Sequence, residues 1–350
     1  MSAPERPERE PRVRWQTVAL GTVLALLVAS GVVALIGNAA GFGDVRATLE
    51  GGEPAWLLVC LLGQLLVFGA YARVYRAAVA FEGGPAVSTP LALRVVLGSF
   101  ALTQLVAAGG AAGLAVGYWA MRKLGFDRRE SAVRVIGLNT FVYLVFGLLG
   151  WTAALLALLA GEAPLALALP WLVVIPVLLL AARWFTEERR VRAWAAPVGG
   201  WLRQGLAVGV SAAWWVRRAL PTAEGRALAA AGAVYWLADM LSLWAGLRVF
   251  GADVGPAALA LAYATGYVAQ LVPLPFVATG GVDAATTFAL TAVGVPLEAA
   301  LLGVVAHRLF AFWLPVLPGL VLAALLPRTG RALEQAAASR RREVDVAAAV

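Results

Sequence analysis

The chain has 350 residues, of which 61% are hydrophobic and 14% charged, with a formal net charge of +8 and a mean hydropathy of +0.82. A soluble domain carries about 25% charged residues, so this composition excludes a soluble globular protein and calls for an all-α polytopic membrane protein. One cysteine, Cys60, excludes an intrachain disulfide, and one histidine excludes a His-rich zinc site.

Residues 1–14 are a polar, charged tail, expected to be disordered. The stretch Trp15–Gly37 is too long for a signal-peptide core and lacks a processing context, so it is expected as a retained span. Ala55–Tyr75 is the second span. Leu91–Met121 is apolar but broken by Gly109 and Gly110. Val135–Leu159 and Leu165–Ala182 follow as spans. The segment 183–226 is a basic loop holding WLRQGLAVGVSAAWWVRR, which is too short to cross. Trp and Arg at its ends suit a helix lying in the membrane interface, and a loop helix packed on the spans fits equally. Ala227–Leu247 is a span, Ala257–Val293 is broken at Pro273, Pro275, Gly280 and Gly281, and Ala300–Leu326 is the last span. Residues 327–350 form a second polar tail, expected to be disordered from residue 332.

The two broken segments resemble each other. Leu93–Gly125 and Leu259–Gly294 each run through Gln-Leu-Val into a Gly-Gly interruption, a short apolar run and a Gly. Arginine counts in short loops orient the chain. Arg is dense in the N-terminal tail, on both flanks of the first broken segment, in the central loop and in the C-terminal tail. Asn38–Pro54 carries only Arg46, and 161–164 and 251–256 carry none. With every basic loop cytoplasmic, the first broken segment enters and returns as a re-entrant hairpin, and the second enters from the opposite side. The expected fold has about six full spans and two opposed re-entrant helical hairpins. It forms one membrane domain, 15–326, in an inverted repeat with halves at about 15–160 and 165–326 and both termini cytoplasmic. Ordinary spans in place of hairpins are the alternative, strongest for the second segment because Gly281–Leu302 is almost long enough to cross. Lys123 as the sole lysine among many arginines suggests GC-rich coding and a prokaryotic source.

Ionisable groups inside a membrane are costly and mark functional sites. Asp239 falls mid-span, Asp283 follows the second Gly-Gly, and His307 and Arg308 lie within the last span. A buried Arg needs an acid, and Asp239 and Asp283 are the two candidates. Arg308 either reads an anionic group such as a lipid phosphate or forms a static salt bridge. Gln104, Asn139 and Gln270 complete the candidate substrate-binding set. Gly109, Gly113 and Gly117 share one helical face and read as a packing stripe. Nucleophile elbow, P-loop and HExxH patterns are absent, so no enzyme, cofactor, metal or nucleic-acid partner is expected.

The segment from Leu271 to Gly319 resembles the membrane domain of lysylphosphatidylglycerol synthases and related stand-alone flippase-like proteins. That family's pattern is Pro-x-Pro-Gly-Gly-x-Gly-x-x-Glu, then Gly-Val-Pro, Tyr-Arg and Trp-Leu-Pro. The matching residues are Pro273, Pro275, Gly280, Gly281, Gly294, Val295, Pro296, Arg308, Trp313, Leu314 and Pro315. Asp283 stands for the family's Glu, and Phe276–Thr279 lengthens the Pro-to-Gly interval. Leu114 and Gly117 stand where the family has an acidic and an Arg residue. The resemblance implies a lipid flippase or lipid transporter of the cell membrane, without the soluble aminoacyl-transferase part and so without lipid synthesis. The alternative is a non-transporting lipid- or partner-binding module. The expected partner is membrane lipid with an anionic headgroup, alongside a homo-oligomer or a membrane-protein partner.

With Cys60 replaced, single-cysteine probes in 38–54, 161–164 and 294–298 should react with an impermeant thiol reagent from outside. Probes beside Arg128 and Arg190 should not. External labelling at Arg128 would remove the first hairpin.

Overall fold

The computed structural model describes residues 50–105, 111–195, 200–271 and 280–349, and all its regular structure is helical. In chain order the helices are α1 Trp56–Ala80, α2 Thr89–Leu105, α3 Ala111–Lys123, α4 Arg128–Leu159, α5 Leu165–Phe185, α6 Glu188–Ala195, α7 Trp201–Ala219, α8 Ala223–Val249, α9 Pro256–Val268, α10 Val282–Ala292 and α11 Leu297–Arg308. A π-helical turn, Leu309–Trp313, joins α11 to α12, Leu314–Ala324, and α13 spans Leu326–Ala349.

Five helical stretches are long and apolar enough to cross a bilayer: Trp56–Gly83, Arg128–Leu159, Leu165–Phe185, Ala223–Val249 and Leu297–Ala324. They coincide with five of the six expected spans. The expected span Trp15–Gly37, the first tail, Gly109, Gly110, Pro273 and Pro275 lie outside the described residues.

Local chemistry sets the helix starts. Asp127 caps α4, its carboxylate accepting from Glu130 N at 2.7 Å. Thr222 caps α8 by accepting from Gly225 N at 3.0 Å, and Pro256 occupies the first turn of α9. The broken segments are helical pairs, α2 with α3 and α9 with α10, whose arms pack on each other. Within the described residues these arms run 17, 13, 13 and 11 residues.

α1 and α8 share the most extensive helix contact, and the two pairs sit on either side of them. The first arm α2 packs on α12, while the first arm α9 packs on α4. Close approach of α1 to α8 depends on Gly63, where a Cβ would meet Ala238 O and Ser242 Cβ at 3.1 Å. In the glycine stripe, a Cβ on Gly113 would overlap the Thr103 hydroxyl of α2, and Gly117 faces Val135 of α4. α5 is mostly exposed, with Val173, Val174, Val177, Leu178 and Leu180 outward, as suits contact with lipid.

Two expectations change. The C-terminal tail is not disordered over 332–349 but helical. α13 returns along α2 and α3, with Lys123 Nζ at 2.6 Å from Glu334 Oε1 and Leu333 fully buried. The central loop, expected to hold one short helix, contains two, α6 and α7, and α7 packs on α4. Trp215, near its C-terminal end, is buried against Gly137 of α4, while 203–206 are exposed.

The Arg-rich end is tied together by a side chain assigned to a loop in the sequence. Arg134 is 1% exposed. It donates to the carbonyls of Ala78 at 3.0 Å and Phe81 at 2.9 Å and pairs with Glu130 at 2.8 Å, over the Phe126 ring. These are carbonyls at the C-terminal end of α1, which lack helical partners. The chain turns there through Glu82 at φ 58°, and Glu82 pairs with Arg218 of α7 at 2.7 Å.

Replacing Arg134 by Met should destabilise the protein by about 2–4 kcal/mol, since buried carbonyls lose a charged donor. Reversible unfolding in mixed micelles would measure it, and a change under about 0.5 kcal/mol would show that the α1 end is held otherwise.

Candidate functional site

A cavity of about 580 Å³ lies where the two halves meet, walled by α1, α2, α3, α4, α8, α9, α10 and α11. Arg308, Asp283, Asp239, His307, Gln270, Gln104 and Asn139, singled out in the sequence, all line it. The structure therefore brings together groups from both halves that lie up to 204 positions apart in the chain.

The ionisable side chains form two separate sets. His307 and Arg308 are successive residues of α11, so they point about 100° apart around the helix. Arg308 Nε lies 3.3 Å from Asp283 Oδ2 in the first turn of α10, and its guanidinium rests 4.8 Å from the centre of the Phe312 ring. His307 instead faces α8, with Nε2 3.7 Å from Asp239 Oδ1 and Nδ1 3.2 Å from Ser242 Oγ. Asp239 accepts from Gln64 Nε2 and from the Tyr263 hydroxyl, both at 2.5 Å. Of the two acids open to Arg308 in the sequence, the one in contact is Asp283. The π-helical turn directly after Arg308 is a feature frequent at functional sites.

Ser242, His307 and Asp239 follow one another like a nucleophile, base and acid. Ser242 is nonetheless fully buried, and its hydroxyl donates to Cys60 O at 3.2 Å while the Cys60 thiol donates back to Ser242 O at 3.3 Å. The Ser242–Cys60 exchange cross-links α8 and α1, while Asp239 and His307 line the cavity.

Sequence reasoning missed the tyrosines. Six of the chain's seven line the cavity: Tyr71, Tyr75, Tyr143, Tyr235, Tyr263 and Tyr267. Tyr263 and Tyr267 stack at 5.7 Å, and Trp236 packs edge-on to both. Tyr71 lies against Tyr235 across the α1–α8 contact. The available signal was the i, i+4 spacing of Tyr71 with Tyr75 and of Tyr263 with Tyr267, which places each pair on one helix face. Tyr75 Oη and Ser99 Oγ are buried without a hydrogen-bond partner. A polar, roomy wall of this kind receives water or a ligand's polar groups. Leu114 of α3 and Tyr143 of α4 line the cavity and are exposed.

Residues 22–319 match the family profile described as Lysylphosphatidylglycerol synthase TM region. No curated protein matches the chain.

Tyr263→Phe removes one donor from Asp239 and leaves the ring packing in place. It should cost about 1.5–3 kcal/mol, the range for a hydrogen bond to a charged group. Unfolding of the variant in the same micelles would check this, and an unchanged stability would show that Asp239 is satisfied without Tyr263.

Proposed function

The chain belongs to the Lysylphosphatidylglycerol synthase TM region family, a multi-pass membrane family with a lipid-related function, and from that premise we propose that it moves a phospholipid or lipid-linked molecule across the cell membrane through the central cavity. The observation that carries this reading is a cavity at the meeting of the two halves. It is lined by Arg308, Asp283 and Asp239 together with apolar and aromatic side chains such as Leu114 and Tyr143. Charged and amide groups in the wall suit a headgroup, while the apolar and aromatic side chains suit acyl chains.

The transport architecture belongs to the same proposal. Each half runs as a long helix, two short arms and a long helix: α1 to α4, then α8 to α12. The reciprocal packing of α2 on α12 and α9 on α4 is the pattern that a two-fold relation between the halves produces. This supports two re-entrant hairpins in an inverted repeat, a plan shared by many transporters. Helix ends buried inside a membrane are tolerated where they line a cavity.

Arg308 is the side chain proposed to meet the anionic part of the headgroup, because a guanidinium can offer a planar fork to a phosphate. Asp283 then holds it in place before the lipid arrives. A non-transporting module that binds anionic lipid is the second reading, favoured by the Arg-rich surface around Arg218, Arg340 and Arg341. No enzymatic step is proposed, since Ser242 is enclosed and no other nucleophile adjoins His307 among the described residues.

The reconstituted protein should move labelled phospholipid between leaflets faster than protein-free vesicles. Arg308→Lys should fold normally yet lose about tenfold or more of that rate, the factor for one lost charged hydrogen bond, whereas Asp283→Glu should be tolerated. Stoichiometric lipid binding with no movement of any headgroup would favour the binding module.

A further inference from the structure

His307 is the only histidine in the chain, and it is 9% exposed. Ser242 Oγ lies 3.2 Å from both Cys60 O and His307 Nδ1. With the hydroxyl proton directed to Cys60 O, the hydroxyl offers the ring a lone pair and Nδ1 is the ring's donor. In a neutral imidazole Nε2 is then bare, and Nε2 is the atom that faces Asp239 Oδ1 at 3.7 Å. Asp239 accepts on both oxygens, from Gln64 and from Tyr263, as an ionised carboxylate does. Two atoms with lone pairs and no hydrogen confront each other at a distance too long for a hydrogen bond. A hydronium that enters the cavity gives its proton to Nε2, its O–H bond breaking as the N–H bond forms and water leaving, and the repulsion becomes a buried ion pair.

The charges of the cavity point the same way. Among the described lining residues there are two carboxylates, Asp239 and Asp283, and one guanidinium, Arg308. With His307 neutral the wall carries one net negative charge inside a low-dielectric region. An anionic headgroup adds another, and a protonated His307 offsets it. The other titratable groups facing the pair are the Cys60 thiol of α1 and the phenols of Tyr71, Tyr235, Tyr263 and Tyr267. Thiols and phenols ordinarily ionise at about pH 8.5 and 10, which leaves the imidazole as the group whose ordinary charge change lies closest to neutral pH.

We propose that the gap between His307 Nε2 and Asp239 Oδ1 is a proton-binding site, and that proton uptake there is linked to headgroup entry, so that lipid movement is coupled to a proton gradient. The coupling rests on the transport reading above; the proton site does not. Linkage fixes the sign: the protonated site favours an anionic headgroup, so its apparent affinity rises as pH falls through the titration of the pair.

Two measurements separate the failure of this proposal from the failure of the transport reading. The first needs no lipid substrate. Protein labelled with 15N-histidine in nanodiscs gives one imidazole signal set. It should show the Nδ1-protonated tautomer at high pH and convert to imidazolium as the pH falls. Asp239→Asn should lower the midpoint, and Tyr263→Phe, which takes a donor from the carboxylate, should raise it. A ring that is Nε2-protonated, that never titrates, or whose midpoint ignores both substitutions would overturn the proton site. The second uses wild-type protein in phosphatidylcholine vesicles carrying labelled phosphatidylglycerol. An imposed pH gradient should change the initial rate roughly fivefold or more, the low end of ordinary coupling. Lipid movement indifferent to the gradient would overturn the coupling and leave transport standing. Absence of lipid movement with phosphatidylglycerol and every other headgroup would sink transport and coupling together, while the histidine titration would still judge the site.

Discussion

Asp239 is a carboxylate in the middle of a 27-residue apolar helix, and the arrangement of its neighbours follows from the need to keep it from lipid. An unpaired charge there would cost several kcal/mol. The chain meets that demand with a donor from each of two other helices: Gln64 from α1 and Tyr263 from α9. Satisfying one side chain thereby fixes the azimuth of three helices. Gly63 lets α1 come close enough for Gln64 to reach, and the Cys60–Ser242 exchange one turn away locks the same contact. The cavity is what remains between helices held at these angles by polar contacts rather than by apolar packing alone.

The Arg-rich end answers a different requirement. α1 ends with carbonyls that need donors in a region where little backbone is free, and Arg134 supplies them while Glu82 turns the chain toward α2. Arg218 brings α7 to the same turn, and Arg340 of α13 donates to Gly83 O at 3.4 Å. Helices that look independent in the sequence thus converge on three residues, 81–83. The central contact around Asp239 and this terminal hub hold α1 at two depths.

The long helices were legible because hydropathy over about 20 residues is a local property. Asp239, Asp283, His307 and Arg308 were legible as a group because charges at such depth are rare whatever the fold. Their pairing was not, since His307 and Arg308 are neighbours in sequence and only the helical turn separates their targets. Arg134 was read as a loop charge because it sits close to Arg128 and Arg129, yet α4 begins early enough to carry it inward. The tyrosines carried no hydropathy signal. Their common destination depends on how α1, α4, α8 and α9 rotate about their axes, which no single segment encodes. The tail over 332–349 was read as disordered from its charge, but its helix finds Lys123 and the carbonyl of Gly83 as partners on distant segments.

The sequence by itself determined that this is a helical membrane protein of the Lysylphosphatidylglycerol synthase TM region family, with its spans, its two broken segments and its buried charges in place. Those properties follow from apolar run length, from glycine and proline interruptions, and from the cost of ions in hydrocarbon, all of which act locally along the chain. Only the tertiary structure decided which acid meets which base, that six tyrosines share one wall, and that Ser242 faces Cys60 instead of the cavity. These are long-range outcomes of helix rotation and close approach, fixed when α1 and α8 meet over Gly63 and Asp239 finds its donors.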